Sequence, residues 1–433
     1  MKTLYGKRLL ILGGSLWKDA VKKYADEKEI TLIAAGNNSA AGIFEIAAEG
    51  YSVDSTDKEA MKRIIAEKHI DGVYMGGSEP VLSAASEYLN EMGLPCYCTK
   101  RQWDFLENKA NFKKLCMEYD LPVAKSYSVN KETLKRDSEK IKFPVITKPQ
   151  DGCGSDGFSI CRNVEELIAG YALAEAASPT ARVLCEDFLK NDSIVAFYTF
   201  SAGKMHFSGL EDKFPIYYPE EGRYVAGAHI FESDATEEFR TLFEEKLRRL
   251  FSSIHIKEGS IWIEIFHSGN EYYFNEVGYR YSGSVSIYPI DYFYGINQVA
   301  CDINYALLGD SLLEDKQKST NLIPKTFNKK RKYCIYSLHI TPGTITRVIG
   351  IDEMLRRPDI VVIPVTKTIG SRVEASGTVG QVFAFVHFVF DTMEELERMI
   401  DTVHETIKIF DDNGKNMLQR RMSVKHIRER LQV

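Results

Sequence analysis

Apolar positions in the first hundred residues fall in short runs separated by glycine turns and by stretches with helical spacing. Lys7 to Gly14 holds the strand-length run Arg-Leu-Leu-Ile-Leu, followed by Gly13-Gly14-Ser15 and helical spacing through Tyr24. A second run, Ile30 to Ala35, ends in Gly36-Asn37-Asn38, and helix-like Lys58 to Lys68 leads to Asp71-Gly-Val-Tyr-Met-Gly-Gly77. Strands alternating with helices predict a parallel sheet with helices on both faces. The glycines read first as tight turns and second as an edge for a small ligand, because Gly13-Gly14-Ser15 lacks the spacing of a dinucleotide fingerprint.

From Trp103 the pattern changes. Asn108 to Tyr119 has helical spacing, with Phe112, Leu115, Cys116 and Tyr119 on one side and Lys109 near its start, and Leu121-Pro122 ends it. Phe143 to Thr147 reads as a strand that delivers Lys148. It is followed by Pro149-Gln-Asp-Gly152-Cys-Gly154-Ser155-Asp-Gly157 and a second strand, Phe158 to Cys161. Close glycines let backbone N–H groups converge on an anion, and the preceding lysine adds a point charge for phosphate. A glycine-rich hairpin turn without a ligand is the competing reading. Val183 to Leu189 is a strand carrying Glu186, then come Lys190-Asn-Asp192-Ser and a further strand, Ile194 to Ser201.

Ile261 to His267 and Tyr272 to Val277 flank a Ser268-Gly-Asn turn and predict a β-hairpin with one glutamate in each strand. A two-residue Gly269-Asn270 turn sets Glu264 across from Asn275. An odd-numbered loop centred on Asn270 sets Glu264 across from Glu276 and Phe266 across from Phe274. The second register is the expectation. Facing carboxylates repel and require a cation or a shared proton. A hard divalent ion such as Mg²⁺ takes oxygen ligands and leaves room for phosphate, and Arg280 offers a planar fork for phosphate or carboxylate. An amphipathic hairpin whose solvent face carries two acids is the alternative.

Gly209 to Phe231, with Glu211, Arg223 and His229, reads first as a long surface loop with solvent-exposed side chains and second as a substrate-facing loop with His229 as a ligand. Tyr288 to Leu308 is helix-rich, Asp310 to Arg331 is charged and linker-like, and Tyr333 to Asp391 is rich in strands. His339 and His387 sit in apolar strands as core or interface residues. Asp391-Thr-Met-Glu394 opens a helix with an acidic first turn. Arg420 to Arg430, interleaved with Met422, Val424, Ile427 and Leu431, reads as an amphipathic helix.

Composition narrows the function. The 433 residues exceed one ordinary core and predict two to four domains, and 44% hydrophobic with 27% charged content is that of a globular protein. A net charge of -6 gives no electrostatic reason for a nucleic-acid partner. The opening segment has only a strand-length apolar run, so neither a signal peptide nor a membrane span is evident and a cytoplasmic location is expected. Eight scattered cysteines suit buried thiols in a reducing compartment. Cys96-Tyr-Cys98, without a second pair, is a weak metal signal, and strand alternation would point both thiols to one face.

A lysine and glycine loop, an acid-ended strand and a downstream hairpin of acids, in this order, resemble the ATP-grasp superfamily of biotin carboxylases, carbamoyl-phosphate synthetases, purine-pathway ligases and L-amino-acid ligases. The resemblance is good from Trp103 to Gly283 and weaker over the N-terminal region. It implies an α/β pre-grasp domain over 1–102 with a parallel sheet. A two-lobed α+β ATP-grasp domain follows over 103–325 with a flexible lid at about 140–205, and then an α+β substrate-side lobe over 326–433. It also implies that Lys109 and Lys148 bind phosphate, that Gly152, Gly154 and Ser155 lie in the loop closing over ATP, and that Glu186 and the backbone near Leu189 sit on adenine. Asp192 falls on the ribose, Glu264 and Glu276 on Mg²⁺ (Mn²⁺ as the substitute), and Arg280 on the reacting phosphoryl or acyl group. Gly278 departs from the pattern, since many members carry Asn there as a third metal ligand; Asn275 or a water is the expected substitute.

The implied activity is that of an ATP-dependent C–N ligase. A carboxylic acid, activated as an acyl phosphate, is captured by an amine, both being small molecules such as amino acids; a homodimer is common in the family. Three rivals stand beside it: a bicarbonate-activating carboxylase or carbamoyl-phosphate-synthetase-like enzyme, a nucleotide-binding protein without turnover, and a dinucleotide oxidoreductase on the N-terminal sheet.

Overall fold

Four strands near the N-terminus, β1 (Arg8–Ile11), β2 (Thr31–Gly36), β3 (Glu49–Ser52) and β4 (Gly72–Tyr74), pair in parallel in the order β3-β2-β1-β4. These coordinates come from a computed structural model that describes residues 3–39, 41–151, 157–189, 193–220, 223–268, 270–313, 331–419, 422 and 424–431. Helices α1 (Lys18–Lys28), α2 (Gly42–Ile46), α3 (Lys58–Glu67) and α4 (Glu79–Glu91) alternate with the strands. In β1, Leu9 and Ile11 enter one core cluster and Leu10 with the following Leu12 enters another. That is the period-two signature of a strand buried on both faces, and it is why the run reads as continuously apolar. α5 (Lys100–Glu107) and α6 (Lys109–Glu118) follow, each with a side-chain cap, Thr99 and Asn108 respectively. Cys96 and Cys98 lie outside any strand, so the expected alternation does not apply to them.

A small antiparallel sheet comes next, β5 (Ser126–Tyr127), β6 (Val145–Pro149), β7 (Ser159–Cys161) and β8 (Val183–Asp187), in the order β5-β8-β6-β7. It has its own core of Leu134, Val145, Cys161, Leu167, Tyr171 and Cys185. This lobe therefore runs from about Ser126 to Asp187, differing from the expected 140–205. The run at Ile194–Ser201 belongs elsewhere, because β9 (Ser193–Ser201) is buried throughout and is a central strand of the large sheet.

That large antiparallel sheet is ordered β13 (Glu271–Gly278), β12 (Gly259–Ser268), β9, β10 (Lys204–Tyr218), β11 (Arg223–Phe231), β14 (Lys332–Ile340), and then Val382–Phe390 and Ile360–Val362. Gly209 to Phe231 is thus no surface loop. Pro215 and Gly209 obscured its alternation, and the structure accommodates both: β10 breaks register between Phe214 and Pro215 and between Phe207 and Gly209. Gly209 takes a φ of 132°, and a Cβ there would lie 2.3 Å from the Phe231 ring. Since β11 pairs with β14, hydrogen bonding continues across the expected boundary at 325/326. Most of the expected linker, 314–330, lies outside the described residues. The helix Met393–Thr406 is capped by Thr392 with Glu394 and Glu395 in its first turn. The helix Val424–Leu431 buries Val424 and Ile427 as its pattern predicts. No helix among the described residues is long and apolar enough to cross a membrane.

Candidate active site

The hairpin of β12 and β13 combines both registers that its sequence allowed. Its strands close at Ser268↔Glu271, a two-residue connection, yet Glu264 pairs with Glu276 because the register shifts between Glu264 and Ile265. The bulge absorbs Asn275 as the extra residue, so Ile265 rather than Phe266 faces Phe274. It also places Asn275 beside both carboxylate partners. The Asn275 amide donates to Glu264 Oε2 at 2.9 Å and its Oδ1 accepts from Lys148 Nζ at 2.9 Å.

Each carboxylate has a lysine. Lys213, from β10, donates to Glu264 Oε1, and Ser193 Oγ donates to the same oxygen at 3.3 Å. Burial pushes the Glu264 carboxyl upward, but the charge and hydrogen bond of Lys213, then Asn275 and Lys148, outweigh it and hold the pKa below the usual range. Burial equally opposes the Lys213 charge, and Glu264 outweighs it, holding Lys213 above the ordinary lysine value. Glu276 lies 3.8 Å from Lys109 Nζ at the start of α6.

One helical turn on from Lys109, on the same face of α6, the buried Lys113 meets Glu186. Glu186 is 1% exposed and also takes Lys148 at 3.3 Å and the Ser126 hydroxyl at 3.1 Å. Its carboxylate is thus committed to two lysines, and Leu189 in the following segment is half-buried. Burial raises the Glu186 carboxyl, but Lys148 and Lys113 outweigh it and keep it ionised. Burial and then the Lys148 charge bring Lys113 down to about 7. Four lysines therefore face three glutamates between the small sheet and the hairpin, with one net positive charge when Lys113 is protonated. A buried excess of cation is a site for an anion.

Arg280 stands beside this cluster. Its guanidinium donates to Glu79 Oε1 at 2.6 and 3.2 Å and to the Tyr281 carbonyl at 2.8 Å, and it lies over the Trp262 ring at 5.3 Å. Trp262 explains Gly278. The two residues are register partners, and a Cβ on Gly278 would fall 2.3 Å from Trp262 Cε2 and Nε1. An asparagine at 278 is excluded by the indole.

Of the residues expected in the site, Lys109, Lys148, Glu264 and Glu276 converge, Arg280 flanks them, and Gly152, Gly154, Ser155 and Asp192 lie outside the described residues. Lys113 and Lys213 were missed, and Asn275, expected only as a substitute metal ligand, instead bridges Lys148 and Glu264. Lys113 carried a signal, four residues after Lys109 on one helix face. Lys213 carried none while its segment read as a loop.

A parallel sheet, a small antiparallel lobe and a large antiparallel sheet with a carboxylate pair facing lysines are the architecture of an ATP-grasp protein. A family model described as carbamoyl-phosphate synthase L chain, ATP binding domain, matches residues 108–196, which marks that part of the chain as an ATP-grasp domain. A sequence relative is the formate-dependent phosphoribosylglycinamide formyltransferase of Saccharolobus solfataricus, 23% identical over 286 residues, covering 63% of this chain and 70% of that one. Two solved structures share the fold. The L-amino acid ligase from Bacillus licheniformis matches with a TM-score of 0.73 at 17% identity, covering 95% of this chain and 100% of that one. The biotin carboxylase domain of the Hydrogenobacter thermophilus 2-oxoglutarate carboxylase, solved with MgADP and bicarbonate, matches with a TM-score of 0.75 at 17% identity, covering 95% and 91%.

Proposed function

We propose that this chain is an ATP- and Mg²⁺-dependent ligase that joins a small carboxylic acid to an amine through an acyl phosphate, releasing ADP and phosphate. The observation that carries it is the direct pairing of Glu264 with Glu276, each compensated by a lysine, in a cluster where lysines outnumber glutamates. Two directly paired carboxylates suit Mg²⁺, which keeps positions for phosphate oxygens. Among the described residues no group of three such side chains forms a self-sufficient metal cage. Glu264 and Glu276 would hold the ion, with Mn²⁺ as a substitute. Bound there, it would supply charge neutralisation at the phosphates.

The lysines do the rest by position and charge. Lys109, Lys148 and Lys113 converge from α6 and the small sheet to bind the triphosphate, while Lys213 reaches the same oxygens from the large sheet. Arg280, held planar between Trp262 and Glu79, orients the acid or its phosphorylated form. Phosphoryl transfer needs positioning and charge stabilisation rather than a protein nucleophile, which fits a site without one. Gly152, Gly154 and Ser155 would close over the nucleotide, Leu189 would border adenine and Asp192 the ribose.

The test is ADP release from ATP and Mg²⁺ across a panel of amino acids, small carboxylic acids and bicarbonate, run with Lys148→Ala and Glu276→Ala. Release that needs an organic acid and disappears in both variants supports the reading. Release that needs bicarbonate alone moves the assignment to the carboxylase type, and nucleotide binding without acid-dependent release overturns it.

A further inference from the structure

Behind the carboxylate pair, the face of the large sheet that carries Glu264 holds a second set of polar side chains which phosphate binding does not use. Glu264 and Glu211 are both register partners of Val195, so they lie in one row across the sheet, about 10 Å apart. Glu211 is fully buried, and its Oε1 lies 2.7 Å from Nδ1 of His229, itself 4% exposed. The Ser286 hydroxyl donates to Glu211 Oε2 at 3.0 Å. Ser286 and Ser284 hydroxyls are 2.8 Å apart, and those of Ser284 and Ser282 are 2.7 Å apart. The line is continuous: it begins at the half-buried Ser282, two residues after Arg280, and ends at a buried carboxylate–imidazole pair.

Two further observations set this line apart from ordinary core satisfaction. His229 Nε2 is buried and lacks a hydrogen-bond partner among the described residues, although such a nitrogen is costly to leave unmet. Val285, a fully buried β-branched residue, takes a φ of 64°, a conformation that disfavours it. That kink sits between Ser284 and Ser286 within the row of hydroxyls.

Resting on the ligase reading above, we infer that Ser282 marks the seat of the amine substrate and that Ser284, Ser286, Glu211 and His229 carry away the proton the amine must lose. The amine arrives as an ammonium ion and gives one proton to Ser282 Oγ. The hydroxyl protons shift one place along Ser284 and Ser286, and the Glu211–His229 pair takes up one. The freed nitrogen lone pair forms the N–C bond, the C–O bond to phosphate breaks with its electrons on the phosphate oxygen, and the second nitrogen proton leaves with phosphate. The stored proton returns along the same hydroxyls to the half-buried Ser282 and leaves from there to solvent, which restores the site.

Other titratable or charged groups face the pair. Lys213 is the register partner of His229 on β10, and His387 lies two strands away across Ile335. Tyr333 OH lies 3.0 Å from His387 Nδ1, and Tyr288 packs its ring on His387 from the helix Ile287–Tyr294. Burial, and then the proximity of a second imidazole at His229, pushes His387 down to about 3, so it stays neutral and does not compete for the proton.

The experiment compares two nucleophiles, ammonium chloride and hydroxylamine, with ATP, Mg²⁺ and the acid that releases ADP in the panel. Hydroxylamine is neutral at pH 7 and attacks the acyl phosphate without surrendering a proton first. In His229→Gln and Ser284→Ala the ratio of amide to hydroxamate falls about 100-fold at pH 7. It recovers near pH 9.5, where ammonia forms unaided, and Ser284→Thr keeps the ratio. A ratio unchanged in both variants, or lowered equally at both pH values, overturns the inference. So does a wild-type protein that makes hydroxamate but no amide at any pH. A wild-type protein that forms neither product points instead to failure of the ligase reading.

Discussion

Placing a methyl group on Gly278 tests whether Trp262 occupies the space that an asparagine fills in other members of the superfamily. In Gly278→Ala the new carbon falls 2.3 Å from Trp262 Cε2 and Nε1 and 2.6 Å from Cζ2, more than 1 Å inside van der Waals contact, which begins at about 3.5 Å. The indole has nowhere cheap to go. Arg280 lies over its ring, and Glu79 holds Arg280 in turn. Overpacking of this kind costs about 1–3 kcal/mol, and losing the cation–π contact adds about 0.5–2 kcal/mol. The variant should therefore be about 1.5–5 kcal/mol less stable in urea denaturation. A double-mutant cycle isolates the cause, because in a Trp262→Ala background the same methyl meets open space and costs less than about 0.5 kcal/mol. Because Arg280 moves with the indole, kcat should fall in Gly278→Ala. An equal penalty with and without Trp262 refutes the steric account of Gly278.

Two further perturbations read the electrostatics. Lys113, near 7 in the free protein, is largely neutral at pH 8. A triphosphate bound beside it restores the charge, so calorimetry in buffers of different ionisation enthalpy should show proton uptake at pH 8, none at pH 6, and none in Lys113→Met. Asp302, hydrogen-bonded by the Tyr281 hydroxyl at 2.5 Å, is pushed up to about 7 by burial. Its protonated form is the one the fold favours, so its contribution is complete below the unfolded pKa near 3.8 and is lost as pH rises through 7. The unfolding free energy of wild type should fall over that window by more than that of Asp302→Asn, a difference of at most about 4 kcal/mol.

Much of the architecture was legible from periodicity. Leu9 to Leu12 announced a strand buried on both faces, and Asn108 with the apolar face of Phe112, Leu115 and Cys116 announced α6. The hairpin was legible in its chemistry but not in its geometry. The pairing of Glu264 with Glu276 holds, but through a bulge at Asn275 rather than an odd loop, and a bulge leaves no mark in hydrophobic alternation. β10 and β11 were hidden for a related reason. Pro215 and Gly209 look like loop residues until two register shifts accommodate them, and the strand placement of Lys213, Glu211 and His229 was hidden with them. Lys113 was read only as part of a helix, because its partner Glu186 is brought to it by a separate sheet. Contacts between elements distant in sequence are set by topology, which periodicity does not encode.

Magnesium-dependent nucleotide affinity tests the central claim most directly. ATP titrated calorimetrically into wild type with Mg²⁺ and with a chelator should show at least about a tenfold gain from the metal, equivalent to about 1.4 kcal/mol, and Glu276→Gln should abolish that gain while ATP still binds without metal. An undiminished gain in Glu276→Gln and in Glu264→Gln would contradict the assignment of these two carboxylates to the cation.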